Sequence, residues 1–151
     1  MPTLLIVYHT PSPSMQAMLA AVLAGARDEA IEGVELVVRP ALAATAVDVL
    51  AADGYLLGTP ANIGYMSGAL KHFFDRIYYS VLAASVGRPH ALYVHSNSDT
   101  TGAVRGVETI TSDLRWKRLR DPLTVVGEVD AAALEACWEL GGTTAASLMP
   151  G

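Results

Sequence analysis

Asp53 to Arg76 reads DGYLLGTPANIGYMSGALKHFFDR, and the fold follows from how this stretch changes period. Tyr55-Leu56-Leu57 is a short apolar run that reads as a buried strand. The pattern breaks at Gly58-Thr59-Pro60 and crosses a loop from Ala61 to Tyr65. From Ser67 the apolar residues fall at 70, 73, 74, 77 and 78, the stripe of a helix packed on a sheet. Strand, glycine-bearing loop and amphipathic helix make half of a β-α-β unit. In open α/β sheets, ligands bind beyond the carboxyl ends of the strands, so this loop is the first candidate for function.

Working outward, the same alternation recurs. Thr3–Tyr8 (TLLIVY) reads as a first, central strand. His9 to Ser14 is a turn rich in hydroxyls, and Ser12-Pro13 suits an N-cap with proline at the first helical position. A helix with Met15, Met18, Leu19, Val22, Leu23 and Ala26 on one face is expected to run to about Ala30. Val34–Val38 is a second strand, and a short helix is expected around Ala46 to Ala51. The helix from Ser67 is expected to continue toward Ala84, with Ala91–Val94 as strand four. A polar loop, His95 to Gly102, leads into a helix expected over Ala103 to Arg120. Leu123–Val129 is the last strand, and Asp130 can cap a helix from Ala131 to about Gly141. The tail GGTTAASLMPG shows no clear element. The expected class is α/β: one domain over residues 1–151, five parallel strands in three layers with right-handed crossovers.

Bulk composition narrows the function. A chain of 151 residues buries about two thirds of its unfolded surface. With 52% hydrophobic and 17% charged residues, a packed globule is expected. A net charge of −5 argues against nucleic acid as a partner, which requires a basic face. The lone cysteine, Cys137, excludes an internal disulfide and reads as a small core hydrophobe. No apolar run approaches the ~18 residues of a membrane span, and the first residues lack the basic start of a signal peptide. The expectation is a cytoplasmic protein without a membrane partner.

Gly58-Thr59-Pro60, then Gly64-Tyr65-Met66-Ser67-Gly68-Ala69-Leu70-Lys71, then Phe74-Asp75-Arg76 resembles the signature run of the NAD(P)H-dependent FMN reductases. The resemblance implies a flavodoxin-like three-layer sandwich with strand order 2-1-3-4-5. It implies FMN as cofactor, its 5′-phosphate held by the Thr10–Met15 turn through Thr10, Ser12, Ser14 and the helix start at Met15. An anion is well placed where free N–H groups meet the positive end of a helix. Related phosphate loops usually carry a glycine here, whereas this one has Pro11 and Pro13, which remove two N–H donors. The isoalloxazine is then expected against Pro60, Ala61, Asn62, Ile63, Gly64 and Tyr65, with Ser96, Asn97 and Ser98 of the His95–Gly102 loop meeting the ring or the ribityl chain. Asp99 is expected to point outward, away from an anionic ligand.

Other chemistries lack their motifs. Neither G-x-G-x-x-G nor G-x-x-x-x-G-K-[ST] occurs. GYMSG at Gly64–Gly68 places its serine one position late for a hydrolase elbow. A response regulator needs an aspartate where Thr59 stands, and Asp53 lies at the wrong strand end. The histidines show no metal spacing, and His72 and His90 read as structural. Between Arg105 and Arg120 five basic and two acidic residues give +3, and Arg115, Lys117, Arg118 and Arg120 read as a solvated helix end or, less simply, a contact for an NADPH 2′-phosphate or an acidic partner.

The resemblance thus implies an oxidoreductase in which FMN passes a hydride from NAD(P)H to a quinone, flavin or similar acceptor, with no catalytic side chain and no metal. A flavodoxin-like electron carrier and a domain of this fold that has lost flavin stay open beside it. Family members commonly pair, so a homodimer is expected, with Ile77-Tyr78-Tyr79 and Val81-Leu82 as its surface or as added core.

Overall fold

A computed structural model describes residues 1–151. β1 (Thr3–Tyr8) lies between two parallel neighbours. β2 (Glu35–Pro40) pairs from Thr3↔Glu35 to Tyr8↔Pro40, and β3 (Gly54–Asn62) from Leu4↔Gly54 to Tyr8↔Gly58. The end of β3 folds back on β4 (Tyr65–Met66), antiparallel, through Asn62↔Tyr65. β3 also pairs in parallel with β5 (Pro89–Ser96), from Tyr55↔His90 to Pro60↔His95. The fifth position is shared by two short strands, β6 (Lys117–Arg118) and β7 (Leu123–Val126), which pair with successive parts of β5. The principal parallel strands therefore run in the order 2-1-3-4-5, as expected, with the fifth in two pieces.

Side-chain alternation along the strands builds a core on each face. Leu5, Val7, Leu57, Leu92 and Val94 meet Phe73, Phe74 and Ile77 of α3 (Gly68–Val81) and Val107 of α4 (Thr101–Asp113), with α2 (Ala46–Ala51) beside them. Leu4, Ile6, Leu56, Ala91 and Tyr93 meet Met15, Met18 and Val22 of α1 (Pro13–Ala26) and Cys137 and Leu140 of α5 (Ala131–Ala146). Two layers of helix thus enclose the sheet. On the first face Tyr55 stacks on Trp116 at 4.1 Å, and the indole Nε1–H donates to Ser85 Oγ at 2.8 Å. Cys137 is buried, as the sequence implies; His90 is buried too, and His72 is exposed.

Several boundaries differ from expectation. α4 stops at Asp113, because Leu114 closes it and Arg115 takes a left-handed φ of 59°. Lys117 and Arg118 are therefore edge-strand residues beside Pro89 and His90, at the strand end opposite the polar loops. Of the basic residues 115–120, Arg115 directly follows the C-cap of α4, whereas Lys117 and Arg118 lie on the edge strand away from those loops, and Arg118 is paired with Glu108 and Asp121. α1 ends at Ala26 and α3 at Val81, each earlier than the periodicity suggests. α5 continues past Gly141 and Gly142 to Ala146, so much of the tail is helical. The reason is interhelical: a Cβ on Gly141 would lie 2.0 Å from the Val22 carbonyl oxygen, and one on Gly25 1.9 Å from that of Trp138. These glycines let α1 and α5 touch backbone to backbone instead of ending a helix.

Candidate functional site

The registers Tyr8↔Gly58 and Pro60↔His95 bring the carboxyl ends of β1, β3 and β5 level. The three segments that follow gather along one edge of the sheet. A main-chain bond from His9 N–H to the Gly58 carbonyl, 3.1 Å, joins the first two.

In the first segment Ser12, with extended backbone, caps α1: its Oγ accepts from Met15 N–H at 3.2 Å, and Pro13 opens the helix. The N–H groups of Thr10, Ser12 and Ser14 have no acceptor within the chain, and Pro11 and Pro13 have none to donate. Three free donors thus alternate with two prolines at the positive end of a 14-residue helix, beside three half-buried hydroxyls. Met15 adds nothing to them. Its side chain is fully buried in the core and its N–H is spent on Ser12.

The second segment is a hairpin where the sequence suggests a loop. β3 runs through Gly58-Thr59-Pro60 to Asn62, and Ile63 and Gly64 turn with φ of 49° and 76°. Two successive left-handed residues between paired positions make a type I′ turn, whose twist suits a two-residue hairpin. Thr59, fully buried, anchors its base: Oγ1 accepts from Ser67 N–H at 3.0 Å and donates to the Pro60 carbonyl at 2.8 Å. Ser67 in turn caps α3 through Leu70 N–H. Pro60 is buried, Ala61 half-buried, Asn62 and Gly64 exposed, and the Ile63 side chain stands wholly in solvent.

The hairpin leans on α4. A Cβ on Gly102 would lie 1.8 Å from the Gly64 carbonyl oxygen, and one on Gly106 2.4 Å from the Tyr65 ring. Two glycines one turn apart thus seat the tip and the tyrosine, leaving Tyr65 38% exposed with one side of its ring against α4.

In the third segment Ser96 is buried and its Oγ accepts from Ser98 and Asp99 N–H, both at 3.1 Å. Asn97 and Ser98 are exposed. Asp99 turns outward, where Thr101 N–H and Oγ1–H donate to Oδ1 at 3.0 and 2.7 Å and hold the carboxyl below its ordinary pKa. His95 Nε2 lies 2.7 Å from the Gly127 carbonyl and so ties β5 to the turn after β7.

The edge therefore gathers the hydroxyls and free N–H groups of residues 10–14, the hairpin 60–65 and the exposed amide and hydroxyl of residues 97–98. No lysine or arginine lies in the three segments, so an anion there would depend on N–H groups, hydroxyls and the helix dipole. Sequence reading misses His9, whose Nδ1 is buried at this edge without a partner, and Thr59, whose role depends on a bond eight residues away. It also misses Gly102 and Gly106; their spacing of four on one helix is the signal that points to a close neighbour.

No protein-family model matches the chain. A flavodoxin of Aquifex aeolicus (strain VF5) is 38% identical over 73 residues, 48% of this chain and 38% of that protein. The matched stretch thus spans well under half of that relative. Among solved structures, a flavodoxin from the domain Archaea superposes with a TM-score of 0.80 at 17% identity, covering 97% of this chain and 98% of that one. A WrbA-like flavodoxin of Agrobacterium tumefaciens gives 0.77 at 18% identity, with 98% of both chains covered. Flavodoxin 1 of Bacillus cereus gives 0.78 at 15%, covering 98% and 99%.

Proposed function

From the flavodoxin-like fold as premise, we propose that this chain, as one domain, binds FMN at the carboxyl edge of β1, β3 and β5 and works as an NAD(P)H-dependent reductase. The observation that carries the reading is the set of unpaired N–H groups at Thr10, Ser12 and Ser14, at the start of α1. They fit a phosphate monoester: three free donors and three half-buried hydroxyls lie within residues 10–14, no acidic residue stands in the first turn, and the helix dipole favours the charge. Pro60 to Gly64, with Asn97 and Ser98, would hold the ring mainly through main-chain groups, and Ala61 and Tyr65 would fill its edge. Ser96 sets the shape of its loop through bonds already made, and Met15 acts only by packing α1 in place.

When bound, FMN supplies the redox chemistry, accepting a hydride from NAD(P)H at N5 and handing the electrons to a quinone, flavin or similar acceptor. The chain's own part is binding, orientation and exclusion of water. No side chain acts as acid or base. A homodimer through the α3 face completes the proposal, since Tyr79 is 87% exposed there while Ile77 and Val81 are core.

The test is the visible spectrum of purified protein before and after adding FMN and desalting, followed by steady-state NAD(P)H oxidation with a quinone. Retained flavin bands and turnover are expected. Absence of retention, with no quenching of flavin fluorescence on titration, would overturn the reading. One observation favours a second reading, an electron carrier: the 38%-identical stretch matches a protein that is itself a flavodoxin. Retained FMN without NAD(P)H oxidation would select it.

A further inference from the structure

The charge of the molecule is unevenly placed. Residues 13–35, from α1 to the start of β2, and residues 127–151, which include α5, together hold eight carboxylates and one cation, Arg27. They carry −7 and the remainder of the chain +2. All four ion pairs of the structure lie in that remainder, so the eight carboxylates have no cation within 4.0 Å.

A groove crosses this acidic side. α1 and α5 touch main chain to main chain at Gly25 and Trp138, which leaves no room for a side chain between them there. The Trp138 indole accordingly stands at the rim, 42% exposed, over a depression of 320 Å³ lined also by Asp28, Ile31 and Glu139. At Ala30 this depression meets a second, of 580 Å³, lined by Glu32 and by Met149, itself 39% exposed. Glu32 N–H donates to Met149 Sδ at 3.4 Å and holds the two walls together. No lysine or arginine lines either depression. The place is distinct from the three-segment edge, since α1 starts at that edge and is about 21 Å long at 1.5 Å per residue, and the groove lies toward its other end.

These walls select an occupant. An indole face attracts a guanidinium or ammonium group, and uncompensated carboxylates beside it add charge complementarity. The same carboxylates repel nucleic acid and anionic membranes. Exposed Trp and Met side by side mark an interaction surface, and two joined depressions exceed what one side chain fills. We propose that this groove docks a basic, amphipathic segment of a partner protein. An arginine or lysine of the segment lies on Trp138 with Asp28 and Glu139 as counterions, and an apolar side chain rests on Met149. The proposal is independent of the flavin reading, and the docked partner leaves the three-segment edge open.

Calorimetric titration of the protein with an end-blocked octapeptide of alternating arginine and leucine tests it, with the glutamate–leucine octapeptide as control. At about 0.15 M salt, which screens fields beyond about 8 Å, the arginine peptide is expected to bind and the glutamate peptide is not. Trp138→Ala and the pair Glu32→Gln/Glu139→Gln should each weaken binding about tenfold. Glu35→Gln/Glu128→Gln removes the same charge outside the groove and should change binding by less than about twofold. All four glutamates are exposed, so both double variants should fold. The peptide should also shield Trp138 from acrylamide quenching, to which Trp116, 5% exposed, contributes little. No binding, equal loss in the two double variants, or binding that survives Trp138→Ala would each overturn the proposal. Self-association without peptide that Glu32→Gln/Glu139→Gln abolishes would overturn it too, because the occupant would then be a second copy of this chain.

Discussion

Tyr93 shows how much is decided by one atom. The side chain is fully buried between the sheet and the α1/α5 layer, its ring lies where a Gly58 side chain would be, and its hydroxyl has no partner. Burial raises its pKa far above the ordinary tyrosine value. A buried hydroxyl without a hydrogen bond costs more than it contributes, so Tyr93→Phe is expected to stabilise the protein by about 1 kcal/mol. The urea midpoint would show it, and a lower midpoint would mean that the hydroxyl is satisfied by bound water. Single residues were legible from sequence where their role is local. Ser12 before Pro13 caps α1, and Cys137 amid apolar neighbours is core. They were illegible where the partner is remote, as with Thr59 and Ser67 or His9 and Gly58.

Among elements, the hairpin on α4 matters most to the site. Two glycines of similar appearance give opposite expectations. Gly102→Ala would drive a methyl into the Gly64 carbonyl, lifting the hairpin at a cost of about 1–3 kcal/mol. Gly68→Ala, at the first position of α3 with open space around its Cα, is expected to gain up to about 1 kcal/mol. Thermal denaturation of the two variants in parallel would check the pair, and equal effects would contradict the packing. The hairpin itself escaped the sequence because Ile63 is a poor residue for a left-handed position and hides the turn. The end of α4 escaped for a related reason, since Arg115 adopts the same region with no glycine to announce it. At α5 the error ran the other way, with Gly141 and Gly142 serving contact where they suggest termination.

For the molecule as a whole, the sequence defines five strands and their helices, but their order depends on pairings far apart in the chain and came from the resemblance. The same long-range packing sets an acid limb to stability. His90 is buried beside Trp116 with an unpartnered Nδ1, and burial pushes its pKa below 6.5, opposed by the Lys117 main chain and by Glu108 and assisted by Arg118. As pH falls through 6.5 the unfolded chain binds a proton that the folded one does not, so stability declines until the folded pKa is reached. His90→Leu should flatten that decline without changing the limb at lower pH, where carboxylates titrate. Denaturation profiles collected from pH 7.5 downward would reveal the difference, and an unchanged slope in the variant would remove His90 as its source.

The alternation of proline and hydroxyl at residues 10 to 14 carries a consequence for kinetics. Pro11 and Pro13 have fixed φ, and each restricts the residue before it, so Thr10 and Ser12 are confined as well. Ser12 accordingly sits at φ −133°, ψ 160°. Ordering a backbone residue costs about 1–2 kcal/mol in entropy, and in this turn that cost is met when the protein folds, before any ligand arrives. The turn trades two donors for preorganisation. A phosphate bound there as proposed would have no loop to wait for, and one of the wrong size would find no loop to adjust.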